Sequence, residues 1–219
     1  IGAVTDQPLD VAAHEAAAIA RRRGDPALLV FALNGAFMQS FFRTGLDGAR
    51  DEIGAELIAV SSRHGLVTYE LLGHLIRVQS RSAFGDVAAA DAHAEAADRL
   101  AAVHESPLVG VFTRWYRALR LALTDHPFPV VAAAYDEAAS ALVGAGMPGL
   151  QRGLPALALL AARVQHGLTA PALTANEAKE GTDWGPYEPW ARPLVMLSQG
   201  RSGVASAAVV TGPNPSRRP

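Results

Sequence analysis

The side chains able to do chemistry are present, but their spacing does not assemble a catalytic group. His14–Glu15 opens like the zinc motif H-E-x-x-H, yet residue 18 is alanine, so the second imidazole is missing. Asp91 and His93 stand two apart, which on a helix sends them to different faces. Residues 200–203 read GRSG rather than G-x-S-x-G, and no strand pattern precedes them. The acidic residues fall at the i, i+4 spacings of solvated helix faces, and the pattern marks no carboxylate pair as buried. Of seven histidines, His64, His104, His126 and His166 lie at or next to expected helix ends. There an imidazole can satisfy terminal carbonyls and oppose the helix dipole. These patterns predict no catalytic residues, no metal site and no cofactor, and so a protein that is not an enzyme.

One constellation rises above this background. His74, Arg77 and Arg81 recur at i, i+3, i+7, and Arg114, Arg117 and Arg120 at i, i+3, i+6 beside Trp115 and Tyr116. Each row occupies one face of a helix. With Asn34, Gln39 and Arg43 before them and Gln151 and Arg152 after, they form a candidate basic stripe with aromatic walls. Guanidinium forks suit carboxylates, phosphates and acidic peptide segments. The candidate binding set is Asn34, Gln39, Arg43, His74, Arg77, Arg81, Arg114, Trp115 and Arg117. The competing reading is a solvated arginine face, with Trp115 and Tyr116 packed between helices. Phe31, Phe37, Phe41 and Phe42 form the one aromatic cluster. Core packing is its expected use, with a hydrophobic groove as the alternative.

The elements that carry these residues are set by a spacing of about 41. Helical patterns stop at Gly24, Gly65, Glu105 and Gly146, and again at Gly45, Gly85, His126 and Gly167. Pro26, Val67, Pro107 and Pro148 follow the first set by two residues. Glycine past a helix end and proline just inside the next are ordinary helix punctuation. The stops predict helices at 8–23, 26–43, 46–64, 67–84, 87–104, 107–125, 128–145 and 148–166. A fixed period built from two helices is the signature of an α-solenoid, and solenoids are mostly binding surfaces.

The helices before the first stops align in columns. Ile19/Val60/Leu100/Ala141, Ala16/Leu57/Ala97/Ala138 and Ala12/Ile53/His93/Ala134 form one expected buried stripe. Glu15/Glu56/Ala96/Glu137 forms an exposed column. His93 is the polar exception in the stripe and reads as a hydrogen-bonded interior or rim histidine.

Composition agrees with helices. Half of the 219 residues are hydrophobic but only 6% are aromatic. That suits close helix packing and gives few runs for sheets. The net charge of −2 argues against a duplex-DNA or RNA surface. Cysteine is absent, so disulfides and thiolate metal sites are excluded. The sequence shows no signal peptide and no apolar run of membrane-spanning length, which makes a cytoplasmic location and no membrane contact the expectation. The expected organisation is a repeat array over 1–167, a loop over 168–186, a degenerate helix pair over 187–210 and a disordered tail over 211–219. A chain that opens on Ile1 rather than Met is expected to be a piece of something larger.

The punctuation is similar to that of tetratricopeptide repeats: GD at 24–25 and 85–86, and W-x-x-x-L-x-x-L-x-x-G from Trp190 to Gly200. More specifically, four segments resemble the C-terminal repeat region of large actinobacterial regulators of the Streptomyces antibiotic regulatory protein type. They are RRGDPALLVFALNGAF (22–37), HGLVTYELLGHLIR (64–77), PLVGVFTRWYRALRLA (107–122) and DWGPYEPWARPLVML (183–197). Large LuxR-type regulators carry similar repeats. The resemblance implies a parent with DNA-binding, activation and nucleotide-binding domains, none of whose motifs stand in this chain.

The fold expected is therefore an all-α right-handed superhelix of tetratricopeptide-like hairpins. It would serve as the regulatory repeat region of a bacterial transcriptional activator of a secondary-metabolite pathway. Its concave face would bind another domain of the parent, a protein or peptide partner, or an anionic small-molecule effector. A direct small-molecule sensor pocket and an oligomerisation scaffold are the alternatives.

Overall fold

The computed structural model describes residues 8–40, 45, 47–124, 126–143, 150, 153–167 and 184–198. Among them every regular element is a helix: α1 Pro8–Arg23, α2 Pro26–Ser40, α3 Asp47–His64, α4 Val67–Ala83, α5 Val87–Val103 and α6 Pro107–Ala122. There follow α7 Phe128–Ser140, α8 Leu154–Gln165, a 3-10 turn Gly185–Tyr187 and α9 Glu188–Ser198. No helix among the described residues is long and apolar enough to cross a membrane.

The helix ends follow the sequence punctuation closely from α1 to α5, whereas α6 ends at Ala122 and α7 at Ser140, before the expected 125 and 145. Gly24 and Gly65 adopt φ +66° after α1 and α3, and Glu105 adopts φ +49° in the same column. The backbone reverses with a left-handed residue at each of these breaks, and the third repeat forces a glutamate into it. The GD pairs are a stop and a start. Asp25 Oδ1 accepts from the Leu28 amide at 3.0 Å, and Asp86 Oδ1 from the Ala89 amide at 3.2 Å, capping α2 and α5. The helix expected from residue 148 begins its described span at Leu154, after left-handed Gly153. The tail over 211–219, the helix expected at 202–210 and most of the 168–186 loop lie outside the described residues.

The chain divides into two compact units, with the boundary inside α6 between Thr113 and Arg114. In the first unit each helix packs on the next in sequence, from α1 through α5. Its main core joins Ala17 and Ala20 of α1, Leu29, Val30, Leu33 and Phe37 of α2, Leu57 of α3 and Ile76 of α4. A second cluster joins Leu71 of α4, Ala97 of α5 and Val109 of α6. The middle expected column is confirmed at Leu57, Ala97 and Ala138, all fully buried, whereas Ala16 is half-buried. The flanking columns are only half-buried, and Ala12 is exposed. The stripe is completed by the position four before three of the four stops, through Ala20, Ser61 and Leu142, while Ala101 is half-buried.

The backbones of α3 and α4 approach closely. A Cβ on Gly54 would lie 3.0 Å from the Gly73 carbonyl oxygen, and one on Gly73 would lie 2.8 Å from the Gly54 oxygen. Two glycines facing each other let the backbones touch, and α3 and α4 are packed together along their length. In the second unit, α7 packs on α8 and α8 on α9. Its core joins Ala118, Val131, Tyr135 and Ala162, with Trp115 and Phe128 packed against them.

Candidate functional site

Within the first unit, Arg77 and Arg81 of the predicted binding set are both engaged by an aspartate. Asp51, on α3 one turn before Gly54, meets both arginines of α4. Arg77 Nε donates to Asp51 Oδ1 at 3.1 Å, and Arg81 Nη2 to Asp51 Oδ2 at 2.5 Å. Arg77 Nη2 and Arg81 Nε complete two forked pairs on the same carboxylate, and the Ser80 hydroxyl donates to it at 3.3 Å. Arg81 also pairs with Asp86 at 3.3 Å. Two arginines and two aspartates balance, so this group contributes no net charge. Its role is to clamp α3 to α4 beside the glycine crossing. The Asp51 side chain is only 13% exposed. Burial works against its charge, but the hydrogen bonds from Arg81 and Arg77 outweigh burial and hold its pKa below the usual carboxylate range.

His74 is likewise engaged. Its Nδ1 lies 2.9 Å from Nδ1 of His93 on α5, with ring centroids 5.2 Å apart. One imidazole must donate and the other accept, so the pair holds together with both rings neutral. Burial, then the neighbouring His93, Arg77 and Arg99, push His74 down to about 4. Burial lowers His93 as well, with Arg77 adding to it. The sequence flagged His93 as the polar exception in an apolar column, but nothing in the spacing named His74 as its partner.

The remaining predicted residues are divided between the two units. Asn34 and Gln39 are half-buried on α2, and Arg43 lies outside the described residues, as do Gln151 and Arg152. Arg114 and Arg117 are exposed in the second unit. Trp115 is half-buried and packs edge-on against Tyr135 with centroids 5.4 Å apart, alongside the core of that unit. The aromatic cluster splits too. Phe37 is 4% exposed and in the core, whereas Phe31 is 65% exposed, contrary to the packing expected for it. Phe41 and Phe42 lie outside the described residues.

The sequence missed a groove between α4 and α5. It has a volume of about 300 Å3 and is lined by Glu70, His74, Ala96, Arg99, Leu100 and Val103. Glu70 and His74 stand one turn apart on α4, and Ala96, Arg99, Leu100 and Val103 share a face of α5. The floor is aliphatic, and a carboxylate and a guanidinium stand on opposite sides. Val103 is 75% exposed, so an aliphatic side chain projects into solvent at the groove. Among the described residues no group of three or more histidine, aspartate or glutamate side chains could hold a metal ion. No protein-family model, curated protein or solved structure matches the chain.

Proposed function

We propose that the chain is a protein-interaction array of tetratricopeptide-like hairpins wound as a right-handed superhelix, and that it regulates a bacterial transcriptional activator of the Streptomyces antibiotic regulatory protein type. The observation that carries this reading is the helix punctuation at spacings of 40 and 41, with equivalent positions used to pack each hairpin on the last. Repeat arrays of this kind present continuous surfaces and act by binding. The four segments of sequence resemblance supply the regulator class.

The contact surface proposed is the α4–α5 groove rather than an arginine stripe. It fits a protein segment with an apolar side chain for the aliphatic floor and charges of both signs beside it, for Glu70 and Arg99. Regulation would come from a partner domain that binds this surface more tightly in one state of the regulator than in another, because only differential affinity shifts an equilibrium.

The test is calorimetry of the whole chain against separately produced DNA-binding and nucleotide-binding domains of such a regulator. Val103→Asp and Arg99→Glu are the variants, because both side chains are exposed and their replacement leaves folding intact. Binding that both variants weaken at least tenfold supports the groove. Binding unaffected by either, or none by any domain, removes the proposal.

A further inference from the structure

The first unit contains an interface that is built twice and left open a third time. Leu28, Tyr69 and Val109 form one column through α2, α4 and α6, at spacings of 41 and 40; Phe31, Leu72 and Phe112 form the next, and Gly35 and Ile76 a third. In α6, Val109 is buried in a cluster with Leu71 of α4 and Ala97 of α5, the two helices of the preceding hairpin. In α4, Ile76 is buried with Leu33 and Phe37 of α2 and Leu57 of α3, again the preceding pair, and Tyr69 and Leu72 pack on the same cluster. These columns are therefore the face by which the first helix of one hairpin docks on the hairpin before it.

On α2 the same face is open. Leu28 is 36% exposed and Phe31 65% exposed, and nothing comes within 4 Å of a Cβ built on Gly35. One turn beyond Gly35, Met38 extends the strip and is 50% exposed. Of the two helices that would cover this face, one is in place: α1 supplies Ala17 and Ala20 to the α2 core, as α3 and α5 do for their successors. The other, standing to α2 as α2 stands to α4, has no counterpart among the described residues. A second observation agrees. The span Pro26–Ser40, PALLVFALNGAFMQS, carries no charged residue at all, while α4 carries Glu70, Arg77 and Arg81 and α6 three arginines. A helix without charge on any face, polar only at Asn34, Gln39 and Ser40, suits an interior position.

We propose that the Leu28–Phe31–Gly35–Met38 face of α2 docks a single amphipathic α-helix, aligned along α2 and closing a hairpin with α1. Its contact face is uncharged, with large apolar residues at i, i+4 and i+8, as Leu29, Leu33 and Phe37 are placed on α2. A charge there would be buried against Phe31 and Met38 without a partner. The surface continues, one repeat earlier, the interface already seen beneath Ile76 and Val109, and that continuity fixes the occupant as a helix of the same kind.

The experiment completes the hairpin in the full chain. A second copy of residues 26–46 is placed directly in front of residue 6, which puts the added helix 41 residues before α2. In a repeat array a new neighbour adds an interface term. The extended chain is expected to melt about 5 °C higher. Phe31→Asp in the original α2 should abolish that gain, while the same substitution in the unextended chain leaves melting unchanged. No gain, or a gain that survives Phe31→Asp, overturns the proposal. So does concentration-dependent dimerisation of the unextended chain that Phe31→Asp abolishes, since the occupant would then be a second copy. A monomer that gains stability only with Phe31 intact upholds it.

Discussion

Two substitutions of the same type should have different effects on stability, and the glycine crossing says why. Gly35 and Gly73 both sit inside helices, where glycine costs about 1 kcal/mol relative to alanine. At Gly35 a methyl group meets nothing within 4 Å, so Gly35→Ala keeps the whole gain. At Gly73 the new Cβ lies 2.8 Å from the Gly54 carbonyl oxygen, 2.8 Å from Ile58 Cγ1 and 3.1 Å from the Ile58 amide nitrogen. Two of those three atoms are backbone and cannot rotate away, so α3 and α4 must part. Overpacking of this kind costs about 1–3 kcal/mol. The propensity gain is common to both variants and cancels between them. Gly73→Ala should therefore be less stable than Gly35→Ala by about 1–3 kcal/mol, the overpacking cost alone. Urea unfolding followed by circular dichroism reads this directly, provided the dependence on urea stays the same in both. Equal stabilities would refute the close crossing of α3 and α4, and with it the placement of Asp51 against Arg77 and Arg81.

Asp51→Asn leaves two part-buried guanidiniums facing a neutral amide and should cost about 1–3 kcal/mol at pH 7. Because the folded pKa of Asp51 is depressed, its contribution is present above the unfolded carboxylate value and lost as pH falls through the folded one, so wild type and variant should converge in strong acid. Arg77→Glu and Arg81→Glu should lower the melting temperature for the same reason. His74 is held neutral in the fold down to about pH 4. The unfolded chain therefore binds more protons between about pH 6.5 and that value, stability should decline as pH drops through that window, and His74→Gln should flatten the decline in a melting series. The Ser61 hydroxyl is fully buried with no hydrogen-bond partner among the described residues, in the column where Ala20 stands one repeat earlier. Ser61→Ala should stabilise the chain by about 1 kcal/mol in urea, and a loss of stability would mean the hydroxyl has a partner.

The sequence by itself determined where most helices begin and where the early ones end. Glycine, proline and aspartate act locally, through φ and through backbone amides. Pro8, Pro26, Val67 and Pro107 accordingly open α1, α2, α4 and α6, and Asp25 and Asp86 cap α2 and α5. The period also placed Leu57, Ala97 and Ala138 in the core, because a column recurring in several helices averages out local noise. Pairing between helices was not legible. Arg77 and Arg81 have the same i, i+4 spacing whether they face solvent or Asp51, 26 and 30 residues away. His74 and His93, 19 residues apart, meet only because α4 lies against α5. Trp115 beside two arginines reads as a binding wall until Tyr135 fills the space next to it. Spacing along one helix fixes which side chains share a face. Only the packing of the next helix decides whether that face is a site, a clamp or a core, because charge and burial depend on neighbours distant in sequence.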